Sequence, residues 1–270
     1  STFPTTYQPI QPPSPPYDPN NNAPPPETIT PTFTHAPKSY FAIDKLQPKG
    51  PRQNADVGQP HDASRPLGQD GDIRTGSWWC ARGGWPSPNL RATTEIFYVF
   101  EGQGCVTDLD GTRHFFGPGD TVILPKGWSG RWDIMEPIHK VWFVHDHPNI
   151  EESINPIRAT ITHYNTFTPE YLTSQGLRSD ATHGSPSTAS RTIYDMGPTE
   201  VGCWTCSPGS FSVANRETTE CFHVFEGVFF LTNENGTAQR CVAGDTVVLP
   251  KGWSGHWDVI ETVKKLWVVI

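Results

Sequence analysis

Residues 119–133 read GDTVILPKGWSGRWD, and residues 244–258 read GDTVVLPKGWSGHWD. The same phrase stands twice, 125 positions apart, and the match continues on both sides. Without a gap the shift aligns Glu95 with Glu220, Asp120 with Asp245 and Trp142 with Trp267, and 26 of the 50 positions between 95–144 and 220–269 are identical. A period of this length is beyond the ~20–50 residues of a solenoid, so the chain reads as two similar domains, each carrying a duplicated unit of about 70 to 80 residues.

Within each unit the pattern is β. TEIFYVFEG (94–102) and TECFHVFEG (219–227) are short β-branched and aromatic runs closed by Gly, and TVILP and TVVLP are further strands. Asp110-Gly111 and Asn235-Gly236 supply tight-turn dipeptides between strands. Neither repeat holds a long stretch of helical periodicity, and many short strands with regular turn signals predict a sandwich or barrel. The chain divides into a proline-rich arm (1–70), a first domain (71–148), a linker (149–190) and a second domain (191–270). TPEYLTSQG (168–176) reads as one short helix with a Thr cap and a Gly stop. Fifteen of the 28 prolines fall in residues 1–60, which favours extended chain over helix or central strand. An arm of this composition is expected to wrap a domain surface or a neighbouring subunit in a homodimer, anchored by Phe3, Tyr7, Tyr17, Phe33, Tyr40 and Phe41.

The net charge of −8, from 20 basic and 28 acidic residues, gives no basic stripe of the kind nucleic acid requires. No apolar run reaches the ~18–20 residues of a membrane helix, and the halves end in the apolar strands KVWFV (140–144) and KLWVVI (265–270). A soluble protein with a small-molecule ligand is expected, without a nucleic-acid or membrane partner; the compartment stays open. The six cysteines (80, 105, 203, 206, 221 and 241) do not coincide under the shift of 125, so buried free thiols are expected, with disulfides as the alternative in a secreted chain. His145 and His147, in HDHP, fall just past the last strand of the first domain and are not expected to hold a metal.

Glu95-x6-Gly102 followed by GPGDTVILPKG, and the matching residues of the second half, resemble the two-part signature of the cupins. The resemblance implies an all-β bicupin, two tandem jelly-roll β-barrels. PKGWSGxWD, with GSWWCARGG and VGCWTCSPG upstream, is similar to the subgroup of ureidoglycine aminohydrolase-like and ethanolamine-utilisation-type cupins. The fold alone does not set the reaction.

Metal-binding cupins place His-x-His before the glutamate and another His after the second motif. Here those positions are Asn89, Arg91 and Gly130 in one half and Ala214, Arg216 and Gly255 in the other. A guanidinium is always protonated and cannot ligate a cation, so no metal and no other cofactor is expected. Arg91, Thr93, Glu95 and Phe97 are spaced to share one face of a strand, as are Arg216, Thr218, Glu220 and Phe222. Each barrel is therefore expected to enclose an Arg–Glu pair, either as a buried ion pair that fixes register or as a site. In the second case the guanidinium binds a carboxylate or phosphate, the carboxyl serves as acid or base, and Glu95, Arg91, Glu220 and Arg216 are the catalytic candidates. Glycine at the third missing ligand leaves room at the cavity mouth. Phe97, Trp128 and Trp132, with Phe222, Trp253 and Trp257, are the candidate substrate-binding rings.

Three functions follow: a metal-independent cupin enzyme acting by acid–base chemistry on a small polar or anionic metabolite (isomerase, lyase, hydrolase or cyclisation type), a non-catalytic small-molecule-binding or structural cupin, and a metal-dependent aminohydrolase-like enzyme.

Overall fold

The structure, a computed structural model, describes residues 30–149 and 157–270. The first half runs β1 (Thr34–Ala36), two 3-10 turns (Lys38–Phe41 and Ile43–Lys45), β2 (Gln47–Pro51), β3 (His61–Asp70), β4 (Ile73–Cys80), β5 (Gly83–Ser87), β6 (Thr94–Asp108), β7 (Arg113–Phe116), β8 (Thr121–Leu124) and β9 (Gly130–His145). The second half repeats the order with one strand added, β12 (Ala181–Gly184), where the first half has only a single bridge between Val57 and Gly84. It runs β10 (Thr160–Thr162), two 3-10 turns (Tyr164–Phe167 and Pro169–Tyr171), β11 (Thr173–Leu177), β12 (Ala181–Gly184), β13 (Ser187–Met196), β14 (Thr199–Cys206), β15 (Gly209–Val213), β16 (Glu220–Asn233), β17 (Ala238–Val242), β18 (Thr246–Leu249) and β19 (Gly255–Val269).

Two antiparallel sheets result, ordered β10-β8-β6-β9-β4-β3-β2 and β1-β18-β16-β19-β14-β13-β11, consistent with two tandem jelly-roll barrels. Their first members are exchanged. β1 opens the first half but pairs with β18 of the second barrel, and β10 opens the second half but pairs with β8 of the first. The exchanged strands are latched alike. Asn233 Oδ1 accepts the Phe33 N–H at 3.1 Å, and Asp108 Oδ1 accepts the Ala159 N–H at 3.0 Å. Phe41 and Phe167, which follow the exchanged strands, are fully buried, each contributing about 1.5–3 kcal/mol of hydrophobic stabilisation.

The repeat is therefore larger than the expected unit. The arm and linker boundaries at 70 and 190 shift, because residues 34–70 and 160–196 supply strands of the barrels. The short helix expected over 168–176 is a single 3-10 turn at Pro169–Tyr171 followed by strand β11. Thr173, Ser174, Gly176 and Leu177 pair there with β13, and extended pairing outweighs the weak local preference for helix. Among the expected arm anchors, Phe33 packs edge-on against Trp253 with centroids 6.4 Å apart, and Tyr40 against Phe41 at 5.2 Å; Phe3, Tyr7 and Tyr17 lie outside the described residues.

Upstream of Arg91 and Arg216 the two halves align with a shift of 126, since the loop before Arg216 is one residue shorter. Trp78 is thus the counterpart of Trp204, and Cys80 does coincide with Cys206. All six thiols are free and buried.

Each barrel has its own apolar core, and a third core joins them. It brings Ile96, Ile123 and Phe143 of one half against Cys221, Leu266 and Val268 of the other. The signature glycine Gly102 has φ +83°, and a Cβ there would meet the Pro137 carbonyl oxygen at 2.0 Å; Gly227 has φ +97° and would meet the Thr262 oxygen at 2.4 Å. Only glycine allows β6 and β16 to bulge this closely against β9 and β19.

Candidate functional site

Glu95 begins the inward face of β6, where it pairs with Leu124 of β8 and Val144 of β9. Arg91 precedes the strand instead of sharing its face. Its backbone is held in the turn by Trp128 and Gly127, and the guanidinium reaches back so that Nη2 lies 2.7 Å from Glu95 Oε2. The other carboxylate oxygen accepts a hydrogen bond from Lys140 Nζ at 2.7 Å. The second barrel repeats this: Arg216 Nη2 lies 3.1 Å from Glu220 Oε2, and Lys265 Nζ donates to Glu220 Oε1 at 2.5 Å. The site is a trio, and sequence reading found two of its members.

The missed lysine stands in β9 on the face that carries Trp142 and Val144, and Lys265 holds the same place in β19. Both residues are buried. Lys140 Nζ lies over the Phe97 ring at 3.7 Å and over Trp78 and Trp132 at 4.8 Å each. An ammonium held against three π-faces and a carboxylate recovers part of its lost hydration. Burial brings the Lys140 pKa below the ordinary lysine value, against the pull of Glu95. For Glu95, burial pushes the carboxyl up, but Lys140 and Arg91 outweigh it and hold it below the usual range. The second pair shifts in the same directions for the same reasons.

Above the trio each barrel opens into a cavity, of about 330 Å³ in the first and about 470 Å³ in the second. The first is lined by Arg52, Arg74, Arg91 and Lys140 against one carboxylate, Glu95. The second is lined by Arg178, Arg216 and Lys265 against two, Glu200 and Glu220. Arg52 Nη1 donates to Asp62 Oδ2 at 2.8 Å, an oxygen that also accepts the Trp78 indole N–H at 2.8 Å, and the guanidinium covers Trp85 at 4.5 Å. The buried Nε atoms of Arg52, Arg91 and Arg216 lack a hydrogen-bond partner among the described residues. Arg178 Nε, by contrast, donates to Asp180 Oδ1 at 2.9 Å.

The expected ring set separates. Trp132 and Trp257 line the cavities, Trp132 stacked between Trp85 and Phe97 with centroids 6.1 and 5.6 Å away. Trp128 and Trp253 do not; both are fully buried, with indole N–H groups donated to Asp108 at 2.7 Å and Asn233 at 2.8 Å. Phe97 and Phe222 are fully buried beneath the lysines and do not line the cavities. Gly130 and Gly255 do not open the mouth either. A Cβ at Gly130 would meet the Thr107 oxygen at 2.1 Å and the Trp128 ring at 2.8 Å, and one at Gly255 the Trp253 ring at 2.2 Å.

These residues do not fit a divalent cation. Both glutamate oxygens face cationic groups, no histidine or cysteine lines either cavity among the described residues, and the position of the last imidazole has no room for a side chain. His145 and His147 are buried and bonded to Thr199 Oγ1 at 2.7 Å and Thr94 Oγ1 at 2.8 Å. His35, Cys241 and Asp245 also cluster, but His35 Nε2 bonds Asp245 Oδ2 at 2.8 Å and the Lys38 and Val242 N–H groups fill the carboxylate. Burial pushes the Cys241 thiol up to about 12. That cluster fastens β1 to the second barrel.

None of the curated proteins matches the chain. Among solved structures it is similar to a protein of unknown function from Pseudomonas syringae (18% identity, TM-score 0.67, covering 89% of this chain and 100% of that one). A putative glyoxylate-induced protein from Pseudomonas aeruginosa is similar at 16% identity and TM-score 0.62, with 87% and 88% covered. The protein Ylba of E. coli is similar at 8% identity and TM-score 0.59, with 88% and 90% covered. These likenesses concern the fold. The EutQ-like cupin domain matches twice, over residues 67–142 and 195–267, and with both barrels so covered the chain belongs to the EutQ-like cupin family.

Proposed function

We propose that the protein is a metal-independent bicupin that binds a small anionic metabolite in its barrel cavities and transforms it by proton transfer in the first. The observation that carries this reading is the lining of the first cavity, where four cations, Arg52, Arg74, Arg91 and Lys140, stand against one carboxylate, Glu95. A ligand carboxylate or phosphate offsets that excess of positive charge and accepts hydrogen bonds from the guanidinium groups in the bidentate manner they favour. Trp132 and Trp85 then face the apolar part of the ligand.

Lys140 is the proton donor in this scheme. An ammonium whose pKa is brought down by burial is a stronger acid than one in water, and Glu95 fixes its direction. Lys140 delivers a proton to charge developing on the bound anion, and the amine recovers one from the substrate or from water.

Titration of malonate and inorganic phosphate into the full-length protein tests the binding step. Saturable binding that Arg91→Ala weakens at least about tenfold supports it, and unchanged binding in that variant overturns it. Elemental analysis showing stoichiometric Mn or Fe overturns metal independence. Turnover in a metabolite mixture followed by NMR, lost in Lys140→Met and kept in Lys265→Met, supports the chemistry.

One observation favours a second reading, a binding protein without turnover: both oxygens of Glu95 are already engaged at 2.7 Å. Tight anion binding with no consumption of any metabolite would establish it.

A further inference from the structure

Between the barrels lies a cavity of about 870 Å³, lined among others by Lys38, Tyr98, Phe100, Glu101, His139 and His223. The internal repeat supplies a template for it. Tyr98 and His223 are counterparts with rings 5.2 Å apart, so the axis relating the halves passes between them and every group on one side has an equivalent on the other.

On the far side that equivalent space is filled. Tyr164, the first residue after the exchanged strand β10 and its His163 link, rests its Cβ on Gly119, at 3.3 Å from where a glycine Cβ would stand. Its ring packs edge-on against Phe225 at 5.3 Å, and its hydroxyl donates to Glu226, which also accepts from Lys264 Nζ at 2.9 Å. Tyr164, Phe225, Glu226, Lys264 and Gly119 correspond to Lys38, Phe100, Glu101, His139 and Gly244.

On the cavity side the stem of Lys38 lies over Gly244, with Cβ at 3.0 Å and Cδ at 2.9 Å from a Cβ built there. A flexible stem therefore starts where the Tyr164 ring starts, and no phenol follows. Phe100 still presents its ring, bounded by His139 at 5.0 Å and His223 at 5.2 Å. Glu101 makes no hydrogen bond or ion pair among the described residues. His139 is held by Ser77 Oγ at 2.9 Å, so it does not replace Lys264 as the donor to this carboxylate.

We propose that this cavity is a second binding site, for a small phenol whose ring packs on Phe100 and whose hydroxyl donates to Glu101. The ligand reproduces between the barrels what Tyr164 does on the other side with a covalently attached ring. The site is independent of the barrel cavities and of the function proposed for them.

Heat or NMR titration of p-cresol into the full-length protein is the test, with three variants. Lys38→Tyr supplies the missing phenol from the chain and is expected to weaken p-cresol binding at least about tenfold while leaving the thermal midpoint unchanged or higher. Glu101→Ala is expected to weaken binding, and Arg91→Ala to leave it unchanged. In wild-type crystals soaked with para-bromophenol, the bromine anomalous peak is expected beside Phe100. Absence of saturable binding, equal binding by Lys38→Tyr or Glu101→Ala, or a bromine peak inside a barrel would overturn the proposal.

Discussion

The two barrels agree at the bottom of their cavities and part company at the rim. Arg91, Glu95 and Lys140 recur as Arg216, Glu220 and Lys265 with the same contacts. Around them Arg74 is replaced by Glu200, buried Asp62 by Thr188, and Trp85 by Phe211. The first barrel thereby gains positive charge, and its Arg52 Nε lacks, among the described residues, the partner that Asp180 supplies to Arg178 in the second. Identical floors under different rims indicate that the trio belongs to the fold and the choice of ligand to the rim.

The largest test of that division removes the lysine. Lys140→Met leaves Glu95 buried with one cation, and loss of one partner of a buried pair costs about 3–5 kcal/mol. Urea denaturation should show comparable losses for Lys140→Met and Lys265→Met, with much of the loss recovered when Glu95→Gln accompanies the first. A loss confined to one half would show that the floors are not equivalent.

Next come the glycines where relatives carry an imidazole. Gly130→Ala and Gly255→Ala overpack against Trp128 and Trp253 and should cost about 1–3 kcal/mol each. A neutral or stabilising result at either position would show that the barrel has room there for a ligand side chain.

The pH response separates the halves through His223, whose counterpart is Tyr98. Burial lowers the His223 pKa to about 3. The folded state therefore binds fewer protons than the unfolded state between that value and the ordinary histidine pKa. Stability from this group is complete above pH ~6.5 and falls by up to about 1.4 kcal/mol per pH unit as pH drops toward 3. His223→Gln should flatten the slope of unfolding free energy against pH between 6 and 4; an unchanged slope would contradict the burial argument.

The smallest effect is at the rim. Glu200→Arg should raise the affinity of the second barrel for malonate and Arg74→Glu should lower that of the first, each by roughly 1 kcal/mol or less, and both differences should shrink in high salt. If neither exchange moves binding, the rim does not distinguish the barrels.

Much of the architecture was legible because the 119–133 phrase is nearly unbroken in its second copy. Arg91 and Glu95 were legible by the same route. Lys140 and Lys265 also repeat at a shift of 125, but they open strands that read as apolar, and a buried lysine in such a strand is invisible until its aromatic and carboxylate neighbours are known. The exchange of β1 and β10 was hidden for another reason. Upstream of the shortened loop the alignment slips by one residue, and residues 34–46 share little with 160–172 beyond Thr34/Thr160, Phe41/Phe167 and Leu46/Leu172. Those strands are specified by backbone pairing and by a few latch contacts, which leave a faint trace in composition.

That exchange has a consequence for ancestry. A chain holding one repeat, with its leading strand placed outward as here, would leave a bare edge at the strand equivalent to β8. Two such chains could complete each other by trading leaders, and joining them end to end would preserve the trade within a single polypeptide. The present molecule has the form of a domain-swapped dimer made permanent by fusion, in which cutting the connection at 150–156 would leave the halves still interlocked.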